Sequence, residues 1–187
     1  MKNTERKKRR AYLQDFEKGA DGTFEYIGAS YAYGEENPVS RRAFVTRIAV
    51  CLALVAVCAA LEGTFKVPGM DNSPFVLIPY AISIITMIFF FWAGVGLCMA
   101  GEPIREYKYE RCVVPLKRRS ITLAVAEGLC AVGEIVCLII DGAGDAIVEA
   151  IVFFALCALA GAAAIFAGRD VSRTKWKPIP KKSRLVD

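Results

Sequence analysis

Four long apolar blocks, residues 44–61, 75–100, 121–140 and 146–168, leave this chain few ways to fold. Each holds about 18 residues or more, and a helix of that length, rising 1.5 Å per residue, crosses a hydrocarbon core about 30 Å thick. The chain is 55% hydrophobic with a mean hydropathy of +0.39, which leaves too small a polar share to cover a soluble domain. The blocks predict an all-α integral membrane protein with four antiparallel transmembrane helices spanning 44–168. Residues 1–43 form an N-terminal segment outside the lipid, and residues 169–187 a basic tail. More than 40 residues precede the first block, too long a lead for a secretory signal, so that block is expected to stay as an anchor.

The cations give this arrangement a direction. Ten Lys and Arg lie between Lys2 and Arg47, six between the second and third blocks and seven after the fourth, whereas Lys66 alone falls on the other side. The positive-inside rule then places both termini in the cytoplasm, in a multi-pass protein of the cell membrane. The net charge of +5 arises from the same asymmetry. It points to anionic lipid headgroups as partners and away from nucleic acid. In the tail, Arg173, Lys175, Trp176, Lys177, Lys181 and Lys182 are the expected headgroup contacts, with the indole at the interfacial level.

Acidic residues inside the third block carry the functional question. Seven residues are almost two helical turns, so Ser120, Glu127, Glu134 and Asp141 share one face. Ala124 and Ala131 lie beside them and let a second helix approach, which predicts that the stripe faces protein and not lipid. Protonating a carboxyl of ordinary pKa about 4.3 at neutral pH costs about 3.7 kcal/mol, close to the roughly 2.5–3.5 kcal/mol for inserting a charge at a membrane helix centre. The surroundings therefore decide the state of these groups. Glu127 and Glu134 are the candidate ion or proton sites, about 10 Å apart along the helix. Tyr80, Ser83 and Thr86 of the second block are the hydroxyls expected to support them. Pro79 is expected in the first turn of that helix, where its missing N–H disturbs little.

Seven cysteines lie in the apolar blocks or on the cationic side, which argues against a disulfide framework. Cys51 and Cys58, like Cys130 and Cys137, repeat at a spacing of seven, but this is no metal motif, and free cysteine is a common core residue. No metal site and no cofactor are expected. The chain has no histidine, no phosphate-binding loop and no nucleophile paired with a base, so an enzyme is not expected.

Ahead of the first block, residues 11–20 suit a short amphipathic helix through Tyr12, Leu13 and Phe16. Phe24 and Tyr26, then Tyr31 and Tyr33, alternate around Gly28 in the manner of a β-hairpin. Two functions follow. The first is an accessory or assembly subunit of a membrane complex, with a membrane protein partner or a second copy of itself. The alternative is a small oligomeric proton- or cation-coupled transporter that uses its membrane glutamates.

Overall fold

The computed structural model describes residues 15–18, 23–65, 67, 69, 73–141 and 147–180. The protein is mostly helical, and four of its helices are long and apolar enough to span a membrane. They are α1 (Arg41–Glu62), α2 (Pro74–Cys98), α3 (Val114–Asp141) and α4 (Ile147–Arg173). The packing centres on α3 and α4: α3 lies against α2 and α4, and α1 against α4 and α2.

Local chemistry sets where these helices begin. Ser40 caps α1 by accepting the amide of Ala43 at 3.3 Å, and Pro74 opens α2 where no amide is needed. Pro79 sits deeper in α2 than the first turn, so it offers no amide to the carbonyl of Phe75, four residues back. That carbonyl lies against Gly133 of α3, where any Cβ would collide with it. The approach to α3 is also helical, through a turn at Glu106–Lys108 and a π-helical turn at Tyr109–Val113. Pro115 has no amide for the carbonyl of Arg111, and the wider turn falls just ahead of it. The cationic run Lys117–Arg119 is therefore part of the helix, and α4 continues past residue 168 to Arg173.

Small residues bring α3 and α4 together. Gly168 leaves room for Ser120, whose Oγ donates to the Lys117 carbonyl at 2.7 Å, and Gly161 sits against Ala124 and Glu127. Gly161 and Gly168 are buried, as are Ala160, Ala164 and Ala167 of the same helix. Most large apolar side chains of α2, including Phe75, Ile78, Ile85, Ile88, Phe89 and Trp92, point outward and are exposed. Such a surface is stable where the surroundings are lipid.

The aromatic N-terminal segment does not form the expected hairpin with itself. β1 (Phe16–Lys18) pairs with β2 (Phe24–Tyr26), so Phe16 lies in a strand and not in a helix over 11–20; Tyr12 and Leu13 fall outside the described residues. β3 (Ser30–Tyr33) instead takes β4 (Ile104–Arg105) on one edge and β5 (Trp176–Ile179) on the other. A lone hairpin is marginal in water, whereas this three-stranded sheet closes over the helices with its aromatic side chains. Tyr33, Phe44 and Trp176 meet with ring centroids 5.7–6.3 Å apart, and Tyr109 joins Trp176 at 5.8 Å. Arg41 at the start of α1 pairs with Glu102 at 3.4 Å, whose other oxygen accepts the Tyr33 amide at 3.1 Å.

Candidate functional site

Glu127 lies about midway along α3 and is 1% exposed; Glu134, two turns on, is also 1% exposed, and Ser120 at the other end of the stripe is fully buried. The side chain of Asp141 falls outside the described residues. The hydroxyl of Ser83 in α2 donates a short hydrogen bond to Glu127 Oε1, which leaves Oε2 with no hydrogen-bond partner among the described residues. Of the three hydroxyls expected to support the glutamates, Ser83 is the one that reaches a carboxylate, that of Glu127.

Glu127 has two neighbours that the sequence reading missed. Glu62, the last residue of α1, is 0% exposed, and among the described residues its carboxylate oxygens have no hydrogen-bond partner of good geometry, only a weak one in the Cys157 thiol. Cys157 of α4 is 1% exposed. One carboxylate oxygen of Glu62, one of Glu127 and the Cys157 Sγ all lie within 4.8 Å of one another. With Ser83, every long helix places one polar side chain at this point. Glu62 lies just past the apolar block 44–61, so composition alone does not draw it into the helix. Its register was the available signal: Ile48, Cys51, Val55 and Cys58 are buried at steps of three and four, and Glu62 is the next position on that stripe.

The rest of the stripe is held differently. Glu134 Oε2 accepts the amide of Gly69 at 3.2 Å, so the connection between α1 and α2 folds in against it; a Cβ at Gly69 would strike both this carboxylate and Val76. Glu134 Oε1 has no hydrogen-bond partner among the described residues. Tyr80 is half-buried, and its hydroxyl lies over Gly63, next to Glu62. Thr86 is half-buried and hydrogen-bonds to neither glutamate.

The basic residues singled out near the C-terminus are distributed as follows. Trp176 is half-buried within the aromatic cluster under the sheet. Lys175 binds Glu36 at 3.1 Å, Arg173 and Lys177 are exposed, and Lys181 and Lys182 fall outside the described residues.

Electrostatics makes the Glu62, Glu127 and Cys157 group unusual. Two full negative charges 4.8 Å apart repel by about 3.5 kcal/mol even at an effective dielectric of about 20. Burying each polar group without a partner adds about 1–3 kcal/mol. A proton or a cation held between the carboxylates removes both costs. The arrangement can thus take up and hold positive charge where the end of α1 meets the middle of α3 and α4, away from water. The chain matches no protein-family model, and no curated protein or solved structure is significantly similar to it.

Proposed function

We propose that this protein is a small cation- or proton-coupled membrane transporter whose exchange site is built on Glu62 and Glu127, with Glu134 as a second station along α3. The observation that carries the reading is that Glu62 is completely buried, with no hydrogen-bond partner of good geometry among the described residues and only the Cys157 thiol against it, facing a second buried carboxylate. A membrane-embedded ionisable group is costly, and retaining two side by side is explained by a charge that comes and goes. Four helices enclose little space, so the working unit is an oligomer. The four helices run antiparallel, with both termini and the sheet in the cytoplasm of a cell whose plasma membrane holds them; the distribution of Lys and Arg supports this. Labelling of Lys182 by an impermeant reagent from outside intact cells would reverse that topology.

Flux through proteoliposomes tests the activity. Wild-type protein should carry protons or a cation down an imposed gradient, and Glu127→Gln should reduce the flux at least tenfold while leaving the folded protein intact. If no cation and no pH gradient moves through wild-type protein, the transport reading fails.

A second reading, an accessory subunit of a membrane complex, draws support from the groove between α1 and α2. Ala56, Ala59 and Ala60 floor it, Ile88, Phe91 and Trp92 wall it, and its volume is about 670 Å³. Small residues facing lipid admit another helix backbone. Gentle solubilisation separates the two readings: a stoichiometric membrane partner favours the subunit, and an isolated homo-oligomer that carries flux favours the transporter.

A further inference from the structure

We propose that Glu62, Glu127 and Cys157 form a binding site for a thiophilic divalent cation of the zinc class, one ligand atom coming from each of α1, α3 and α4. This rests on the reading of the buried carboxylates as a cation site and goes further, naming the chemical class of the ion.

The geometry is that of a small, closed site. Tetrahedral zinc with oxygen ligands at about 2.1 Å and sulfur at about 2.3 Å sets its ligand atoms about 3.4–3.6 Å apart. Three candidate donors already within 4.8 Å of one another need contract by little more than 1 Å to reach that spacing. All three residues are at most 1% exposed and belong to helices, Glu62 as the last residue of α1.

The donor set discriminates among ions. Calcium takes six to eight oxygens, and magnesium keeps several waters in an octahedron. Glu62 and Glu127 offer few oxygens, and Ser83 already occupies one of those on Glu127. A mixed set of two carboxylates and one thiolate, with the fourth place open, suits zinc, cadmium and cobalt(II) better. With the Cys157 thiol giving up its proton on binding, the thiolate and one ionised carboxylate match the ion's double charge while the second carboxyl binds with its proton kept, which matters where hydrocarbon surrounds the helices.

Ser83 supplies what a metal site needs around its ligands. By holding Glu127 Oε1 it fixes the carboxylate's orientation and leaves Oε2 free. Groups that orient a ligand in this way commonly change metal affinity by about 10–100-fold when removed. The unpartnered oxygens of Glu62, fully enclosed, are the independent sign that a ligand belongs here.

The test uses the full chain in nanodiscs, stripped with a chelator and titrated with cobalt(II) and zinc. Cobalt should produce an intense tetrahedral visible spectrum with a near-ultraviolet sulfur-to-metal charge-transfer band, and elemental analysis should find one zinc per chain. Cys157→Ser should abolish the charge-transfer band, while Cys98→Ser, at a thiol outside the cluster, should leave it unchanged. Glu62→Gln and Glu127→Gln should each weaken binding at least tenfold. Ser83→Ala, which preserves packing, should weaken it about 10–100-fold, so the inference stays testable should a glutamate variant fail to fold. Absence of the band in wild-type protein, or a band of full strength in Cys157→Ser, overturns the metal site. A proton flux that persists in wild-type protein without metal binding overturns this inference and leaves the transporter standing. Metal binding without any flux supports the site and overturns the transporter.

Discussion

The sheet end of the molecule and the middle of its helices treat charge in opposite ways. Under the sheet, charged groups are paired: Arg41 with Glu102 at 3.4 Å, Arg47 with Asp170 at 3.9 Å and Lys175 with Glu36 at 3.1 Å. Asn37 adds hydrogen bonds at 2.8–2.9 Å to the Gly34 carbonyl and to the backbone of Lys175, tying the turn after β3 to the start of β5. Among the described residues the indole Nε1 of Trp176 has no hydrogen-bond partner there, and Asp170 Oδ2 has only the Arg47 guanidinium at 3.9 Å. In the middle of the helices two carboxylates meet, and three of their four oxygens have no hydrogen-bond partner among the described residues. The sheet end is arranged as a folding requirement demands. The middle is arranged against that requirement, which is the pattern of a site kept for use.

The sharpest way to probe the first half of this contrast is to remove the residue on which the sheet end packs. Phe44 is 1% exposed and lies against Tyr33 and Trp176. Truncation of a buried Phe to Ala typically costs about 3–5 kcal/mol. Phe44→Ala should lower unfolding stability in detergent by that amount and release the sheet, read as faster amide exchange in Ser30–Tyr33 and Trp176–Ile179. If those amides stay protected while stability falls, the sheet does not depend on this cluster.

The second prediction sets the two regions against each other. Glu62→Met removes an orphaned acid and fills its volume with a flexible apolar chain, so stability should rise by about 1–3 kcal/mol even as cation uptake is lost. Glu102→Gln, at a part-exposed pair, should instead lower stability by about 0.2–1 kcal/mol. Both are read by denaturant or thermal unfolding under one set of detergent conditions. A loss of stability in Glu62→Met larger than that in Glu102→Gln would make Glu62 a structural residue and erase the distinction.

How far these two regions could be read from the residues follows from the range of the interactions that form them. The helices show because each block carries its own signal, a run of apolar residues long enough to span lipid. Ser120, Glu127 and Glu134 could be grouped because one helix's periodicity relates them. Cys157 and Glu62 could not be added, because no periodicity within α3 reports which residues α1 and α4 bring to it. Glu62 also closes its helix, where composition changes and a loop looks like the natural assignment. The sheet was less legible still. Alternation correctly marked Phe24–Tyr26 and Ser30–Tyr33 as extended, but strand propensity names no partner, and β3 found its partners in the segments before α3 and after α4. Helix boundaries misled where charge was taken for a loop: Lys117–Arg119 continue α3 because a helix does not end where its apolar stretch does.

The smallest expected effect is at the most exposed pair of the sheet end, and its sign follows from linkage. The hydrogen bond and charge of Lys175, helped by Lys177, hold the carboxyl of Glu36 below its ordinary value of 4.5. A carboxylate whose folded value is depressed stabilises the native state fully above its unfolded value, and loses that contribution as the pH falls through the folded value. The pair should therefore contribute unchanged from neutrality down to about pH 4.5 and fade below it. Comparing wild type with Lys175→Met, the gap in unfolding midpoint should be small at pH 7 and close by pH 3, and added salt at pH 7 should narrow it, because exposed charges are screened. Repeating the comparison in a Glu36→Gln background should show no gap at either pH. A gap that persists at pH 3 would mean that the Lys175 side chain stabilises this end by something other than its charge pair with Glu36, since its backbone link to Asn37, with the amide on Oδ1 at 2.8 Å, is present in both proteins and cancels from the comparison. That outcome would remove the most exposed ion pair from what closes the sheet end and leave the deeper pairs, Arg41 with Glu102 and Arg47 with Asp170, as the charges that act there.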